Sequence, residues 1–211
     1  LIPWKSFGAN LCPSAELAAC HGPCLNTSGR GQMTSVQTGR ARKTEWFIKD
    51  RAGFMAHLVI DVTRFVKYCN PRNIKPCIRL NGTSDIRWEL IPVIDAQGNT
   101  HKNIMDAFPM VQWYDYTKIA NRRNVPDNYH LTWSYSGANP KYSDMMDTAR
   151  ANGMNVAVVF RTKGTIPISF RGLPTVDGDK NDLRFLDPKG VAVALYAKGK
   201  AKHDTSGFVQ E

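Results

Sequence analysis

Short apolar runs alternate with helical patterns along the 211-residue chain. Apolar side chains recur at helical spacing over residues 45–68 and predict one long amphipathic helix, with Thr44 as its N-cap. A second helix is predicted over residues 141–152, because Gly153 follows it in a position that commonly ends a helix. β-rich apolar runs predict strands at residues 5–11, 77–80, 110–114, 129–135, 155–161, 166–170 and 191–196, and shorter helices are predicted at 86–91 and 119–123.

This alternation predicts a single α/β domain over residues 1–211 with mostly parallel strands. We expect a small or incomplete β/α barrel of the TIM type, and an open doubly wound sheet is the alternative. In both architectures ligands bind at the carboxyl edge of the strands. Polar loops follow four predicted strands, at residues 81–85, 114–118, 134–137 and 161–163. These loops would therefore line one pocket.

The chain is basic. It has 28 Lys and Arg against 18 Asp and Glu, so its net charge is 28 − 18 = +10. This balance favours nucleic acid, a nucleotide or another acidic small molecule as a partner, although a basic soluble surface explains scattered charges equally well. Denser basic stretches occur only at residues 40–43 and 198–202.

Two absences indicate the compartment. No apolar run approaches the roughly 20 residues that a membrane-spanning helix requires, and no signal segment opens the sequence. We therefore expect a cytoplasmic protein, where a reducing environment disfavours disulfides. The five cysteines then need another role.

Three of those cysteines stand close together, as Cys12, Cys20 and Cys24 with the spacing C-x7-C-x3-C. Thiolates bind soft metals, so one short loop can supply three ligands to one centre. The spacing is not that of a zinc ribbon, and zinc would require a fourth ligand such as Cys69 or Cys77. We expect an iron–sulfur cluster, of the four-iron, four-sulfur type. Zinc and ordinary buried thiols are the alternatives.

Asp85 and Lys118 are the candidate catalytic residues. Asp85 follows a predicted strand and could act as a general base or orient a ligand, or it could cap the next helix. Lys118 could hold a phosphate or carboxylate, or simply be solvated. Arg79 lies within a predicted strand and needs an acidic partner, for which Asp85 or Asp115 would serve.

The candidate cofactor-binding residues lie in the cysteine segment and in or after predicted strands. Asn26 could donate hydrogen bonds to cluster sulfur. The full set is Asn26, Arg79, Asn81, Ser84 and Arg161. A calcium loop around Asp177, Asp179 and Asp182 is rejected, because no Glu stands at the required spacing.

Four segments occur in a characteristic order. They are the cysteine loop, Ile-Arg-Leu-Asn-Gly-Thr-Ser-Asp at 78–85, Trp-Tyr-Asp-Tyr-Thr-Lys at 113–118, and Leu-Thr-Trp-Ser-Tyr-Ser at 131–136. The set resembles the gene product 88 family of bacteriophage proteins over roughly residues 11–137. The resemblance implies a phage protein acting in the cytoplasm of an infected host cell, and its cysteine loop implies a cluster.

The cysteine loop is also distantly similar to that of radical S-adenosylmethionine enzymes, which place three cysteines after the first strand of a barrel. Their spacing is C-x3-C-x2-C with an aromatic residue before the last cysteine, whereas here that residue is Pro23. The chain also has no Gly-Gly-Glu segment. S-adenosylmethionine as a cofactor is implied by this analogy alone.

Three functions follow as hypotheses. The first is an iron–sulfur protein with redox or radical-type chemistry on a small molecule or nucleotide. The second is a basic nucleic-acid-binding module with structural zinc. The third is an electron carrier without a substrate.

Overall fold

The computed structural model describes residues 1–164 and 166–211. The strands are β1 (Lys5–Ser6), β2 (Ala9–Asn10), β3 (Cys77–Ile78), β4 (Val93–Ile94), β5 (Thr100–His101), β6 (Gln112–Thr117), β7 (Tyr129–Ser134), β8 (Asn155–Phe160), β9 (Ser169–Phe170), β10 (Leu173–Asp177) and β11 (Ala192–Tyr196). The α-helices are α1 (Thr34–Lys49), α2 (Arg51–Cys69), α3 (Ile104–Ala107), α4 (Pro140–Ser143) and α5 (Met146–Ala151).

Seven strands form one sheet in the order β3-β6-β7-β8-β11-β10-β9. All neighbours run parallel except β9, which is antiparallel to β10. The prediction of an α/β fold with mostly parallel strands is confirmed. The sheet is open, with β3 and β9 at its edges, so over the described residues the expected TIM-type architecture does not close into a barrel.

Both faces of the sheet are covered, which explains why the central strands β8 and β11 are almost continuous apolar runs. Val156 and Val158 of β8 belong to the larger core cluster, whereas Ala157 between them belongs to a smaller cluster on the other face. Helices α1 and α2 join the larger core, where Phe47 packs against Trp88 with ring centroids 5.5 Å apart. This two-sided burial holds the central strands in place.

The long helix predicted over 45–68 is in fact two helices. The chain breaks at Asp50, whose carboxylate accepts a hydrogen bond from Gly53 N at 2.9 Å and so caps α2. Thr44, the predicted cap, is buried within α1 and donates a hydrogen bond to Arg40 O. Helix α1 begins ten residues before residue 44, in a polar stretch that shows no apolar period.

Other differences concern short elements. Residues 5–11 form the hairpin β1–β2 rather than one strand, and residues 86–91 contain only a 3-10 helix, Trp88–Leu90. The described structure has no helix at 119–123, and the helix predicted at 141–152 is divided into α4 and α5. Strand β10 was not predicted, because Gly172 and Pro174 suggest a turn there.

None of the helices in the described part of the chain combines the length and apolar character that a membrane crossing requires.

Candidate functional site

A cavity of about 240 Å³ opens at the carboxyl edge of the parallel strands. Residues that follow β3, β6, β10 and β11, together with Ser134 at the end of β7, line this cavity, and the cysteine loop closes one side of it. The edge is the one at which parallel α/β sheets bind ligands. Of the four polar loops predicted to line one pocket, three contribute to it, at residues 81–85, 116–118 and 134, whereas residues 161–163 do not line it.

The three cysteines of the loop all line this cavity. The Cys12 thiol lies 3.6 Å from Thr83 O, and Cys20 N donates a hydrogen bond to Ala15 O within the loop. Two further bonds fix the loop to the sheet. Asp85 N donates to Leu11 O at 2.7 Å, and Ser136 Oγ donates to Ala18 O at 2.7 Å.

The segment 81–85 connects the loop to the sheet through a buried hydrogen-bond network. Asn81 Oδ1 accepts from Ser84 Oγ, from Ile86 N and from Trp88 Nε1, at 2.9 to 3.0 Å. Asn81 N donates to Asp115 Oδ1 at 2.7 Å. With its polar atoms engaged by protein groups, Asn81 shapes the floor of the cavity.

Asp85 and Lys118 meet in this part of the cavity. The Asp85 carboxylate accepts hydrogen bonds from Thr117 Oγ1 at 2.8 Å and from Lys118 N at 2.7 Å, so it does not cap a following helix. Lys118 Nζ is buried, donates to Ser134 O at 2.9 Å, and lies 4.4 Å from the centre of the Phe208 ring. We name the group Cys12, Cys20, Cys24, Asp85 and Lys118 the cysteine half of the cavity.

Burial controls the protonation of the cysteine half. It raises the pKa of the Cys12 thiol to about 12, and it also raises the pKa of Cys20 and Cys24. Burial lowers the pKa of the Lys118 ammonium to about 8, although the neighbouring Cys20 and Asp85 oppose this effect. Burial likewise raises the pKa of Asp85, against the hydrogen bonds that it accepts.

A second layer of buried charge lies beneath the floor. Arg122 forms a bidentate ion pair with Glu89, and its other terminal nitrogen lies 3.8 Å from Asp85. Tyr129 OH donates to Asp115 Oδ2 at 2.7 Å. Burial raises the pKa of Asp115 to about 7, because two hydrogen bonds only partly replace lost hydration.

The opposite wall of the cavity is built from ion pairs. Arg79 pairs with Asp182 at 3.3 Å and stacks on the Tyr116 ring at 4.7 Å, and Lys198 pairs with Asp179 at 2.8 Å. Arg79 therefore finds its partner in Asp182, not in Asp85 or Asp115 as expected. Its Nε is buried without a hydrogen-bond partner in the described structure. We name Arg79, Tyr116, Asp179, Asp182 and Lys198 the ion-pair half of the cavity.

The family follows from sequence comparison. The family model described as Gene product 88 matches residues 2–211, which is nearly the whole chain. The chain belongs to the gene product 88 family. The resemblance to this family of bacteriophage proteins is confirmed, and it extends beyond residue 137 to the C-terminal third. No curated protein and no solved structure matches the chain.

In this gene product 88 protein, the cavity brings together most of the residues predicted for the site. Eight of them line it: Cys12, Cys20, Cys24, Arg79, Asn81, Ser84, Asp85 and Lys118. Asn26 lies outside, where its side chain contacts Gln37 and Arg40. Arg161 is also outside, because its guanidinium bonds to Lys202 O and Asp204 O and pairs with Glu211.

Several lining residues of this gene product 88 protein escaped the sequence analysis. Asp179 and Asp182 were considered only for a calcium loop, Lys198 only as part of a basic stretch, and Phe208 was not among the candidate residues. Asp179 and Asp182 reach the cavity because they follow β10, which pairs with β11, and Lys198 reaches it because it follows β11, which pairs with β8. A predicted strand at β10 would have placed Asp179 and Asp182 at the same edge of the sheet as the other polar strand ends.

The candidate metal ligands are the three cysteines of the loop, Cys12, Cys20 and Cys24. Cys69 and Cys77, proposed as fourth ligands, do not line the cavity. Within residues 1–164 and 166–211, no three His, Cys, Asp or Glu side chains converge closely enough to hold a single metal ion. A cluster binds its thiolates through separate iron atoms, so its thiols do not have to meet at one point.

Proposed function

We propose that the chain is an iron–sulfur protein whose four-iron, four-sulfur cluster is held by Cys12, Cys20 and Cys24. One observation carries the proposal: three thiols from one short loop line a single cavity at the ligand-binding edge of the sheet. The donor set fits the cluster, because thiolates are its usual protein ligands. When bound, the cluster would supply one-electron or radical-type chemistry.

The residues around the thiols suit such a centre. The Lys118 ammonium is fixed by backbone carbonyls beside Cys20 and would offset negative charge as the thiols lose their protons. Three cysteines leave one iron without a protein thiolate, and the cavity continues from there into the ion-pair half. A small polar molecule or nucleotide would bind there, with Asp85 accepting or donating a proton.

The analogy to radical S-adenosylmethionine enzymes supports this proposal only through the position of the loop after an N-terminal strand. Because the cysteine spacing differs and the sheet is open, the proposal does not depend on that cofactor. In this proposal the protein acts in the cytoplasm of the infected host.

Anaerobic purification followed by metal and sulfide analysis tests the proposal. We expect about four iron atoms per chain and a broad visible absorption. Cys12→Ser, Cys20→Ser and Cys24→Ser should each lose most of the iron, whereas Cys69→Ser and Cys77→Ser serve as matched controls and should retain it. A folded wild-type protein without iron would refute the proposal.

The same metal analysis distinguishes the iron–sulfur protein from the second candidate function, a nucleic-acid-binding module with structural zinc. The net charge of +10 favours this second candidate. That function requires about one zinc ion per chain. It also requires a DNA or RNA affinity that falls steeply with salt.

A further inference from the structure

The outer wall of the cysteine half is formed by two segments that are far apart in sequence. The 3-10 helix Leu25–Thr27, directly after Cys24, packs against the 3-10 helix Gly199–His203 near the C-terminus. Gly199 has a φ of +56°, and a Cβ there would lie 2.7 Å from Ser28 Cβ, so the two segments meet closely. Leu25 and Ala201 line the cavity. The two segments therefore separate the cavity from solvent, and the other side chains of these segments form the outer surface of this wall.

This outer surface is basic. No Asp or Glu occurs in residues 17–44 or 198–203. The exposed or half-exposed cations of these ranges include Arg30, Arg40, Lys200 and Lys202, accompanied by the exposed His203, and we name these five residues the basic face. Within the described residues, the ion pairs do not include Arg30, Lys200 or Lys202.

The surroundings of the basic face indicate the kind of partner. Leu25 and Met33 are about half exposed, at 51% and 54%, and lie in the same segment as Arg30. Exposed apolar side chains among Arg residues are typical of protein interfaces. Residues 25–43 and 198–203 contain no Phe, Trp or Tyr, so this surface lacks the stacking platforms of single-strand nucleic-acid binders. A protein with an acidic patch therefore fits better than nucleic acid.

We propose that the basic face docks an acidic one-electron donor protein that reduces the cluster beneath it. The inference rests on the proposed function, since the donor must face a redox centre. One electron would leave the reduced donor and enter the cluster, with no bond formed or broken. Opposite charges would steer the encounter and give it a strong salt dependence.

The test uses a purified, acidic plant-type two-iron ferredoxin as the probe. Binding to the metal-free 211-residue chain is measured by calorimetry at low and at high salt. We expect measurable affinity at low salt that weakens with added salt, and a loss of about tenfold or more in the double variant Arg30→Glu/Lys200→Glu. The control Arg123→Glu/Lys189→Glu makes the same charge change in a hollow near the amino ends of β7 and β8 and should bind within about twofold of wild type.

Stopped-flow reduction of the iron-loaded chain gives a second readout. The rate with reduced ferredoxin should fall about tenfold in the Arg30→Glu/Lys200→Glu variant. The rate with a small cationic viologen radical should not fall, which separates lost docking from a damaged cluster.

Each failure has a distinct signature. An iron-loaded chain that does not bind ferredoxin, or binds it equally well after charge reversal, would overturn the docking inference and leave the proposed function intact. Preferential loss of labelled DNA binding in the same variant, with no ferredoxin binding, would assign the face to nucleic acid. An iron-free chain would overturn both proposals.

Discussion

The two halves of the cavity are built in different ways. In the cysteine half, Asp85 is buried and Lys118 is half-buried, and both are hydrogen-bonded to backbone groups of neighbouring strands. In the ion-pair half, Asp182 and Lys198 are more than half exposed and are held by single salt bridges. A buried, bonded site holds its geometry without a ligand, whereas exposed ion pairs exchange partners at little cost. The first suits a fixed centre and the second suits a ligand that comes and goes.

The largest change in stability is expected for a substitution in the floor of the cavity. Asn81→Ala removes the acceptor for Ile86 N, Trp88 Nε1 and Ser84 Oγ, and leaves buried donors without partners. We expect the free energy of unfolding to fall by about 3 kcal/mol or more, measured by urea denaturation. The exposed Asn121→Ala serves as control and should change it by less than about 0.5 kcal/mol. Equal losses in both variants would contradict the proposed role of the floor.

The next prediction concerns pH. Burial raises the pKa of Asp115 from 3.8 to about 7 in the native state, so between these values the folded chain holds a proton that the unfolded chain releases. This residue's contribution to stability is complete below pH 3.8 and is lost as the pH rises towards 7. Asp115→Asn should remove a downward slope of at most about 1.4 kcal/mol per pH unit in that window.

A control with the opposite sign is available at Asp95. Its hydrogen bond with His101 holds the pKa of that carboxyl well below its usual range. Asp95→Asn should therefore remove stability that is present above pH 3.8 and lost in more acidic solution. Denaturation series at several pH values measure both slopes, and parallel curves for wild type and Asp115→Asn would show that burial does not hold this proton.

A smaller effect is expected at Asp85. Asp85→Asn keeps one acceptor for Thr117 Oγ1 or Lys118 N but loses the other, and it removes a charge 3.8 Å from Arg122. We expect a loss of about 1–2 kcal/mol in the free energy of unfolding. A gain in stability would show that the desolvation of this carboxylate destabilises the fold more than its hydrogen bonds stabilise it.

The smallest effect is expected in the ion-pair half. The Lys198 side chain is 54% exposed and pairs with Asp179 at the surface, so Lys198→Ala should change the free energy of unfolding by no more than about 0.5 kcal/mol. Thermal denaturation of this variant beside Asp85→Asn compares the two halves directly. Similar losses of stability in Lys198→Ala and Asp85→Asn would contradict the proposed difference between the two halves of the cavity.

The contrast also explains how far the sequence could predict the structure. Strands β8 and β11 were predicted because buried parallel strands are nearly apolar throughout, and β6 and β7 because they are rich in aromatic residues. The polar residues after these strands pointed to the edge where the cavity lies. The cysteine half was found from these strand ends together with the cysteine spacing. The ion-pair half was not, because the contact between Arg79 and Asp182 spans 103 residues and depends on β10, which has Pro174 at its second position.

Local signals also misled. The helical spacing of apolar residues continues across Asp50, because the buried positions of α1 and of α2 fall in one uninterrupted helical period. The sequence pattern therefore gave no sign of the break at Asp50. Lys118 looks like an ordinary solvated lysine in sequence. Its burial depends on carbonyls at the end of β7 and on Phe208, which no local pattern connects to it.

The hydrogen bonds from Asp85 N to Leu11 O and from Ser136 Oγ to Ala18 O have a consequence for assembly. They anchor both flanks of the segment from Cys12 to Ala18 to the scaffold by protein groups alone. If the proposed cluster binds here, the polypeptide can therefore fold first. The cluster, inserted afterwards, would then meet a binding loop that is already partly in place. Zinc fingers illustrate the reverse order, in which the chain stays unfolded until the ion arrives.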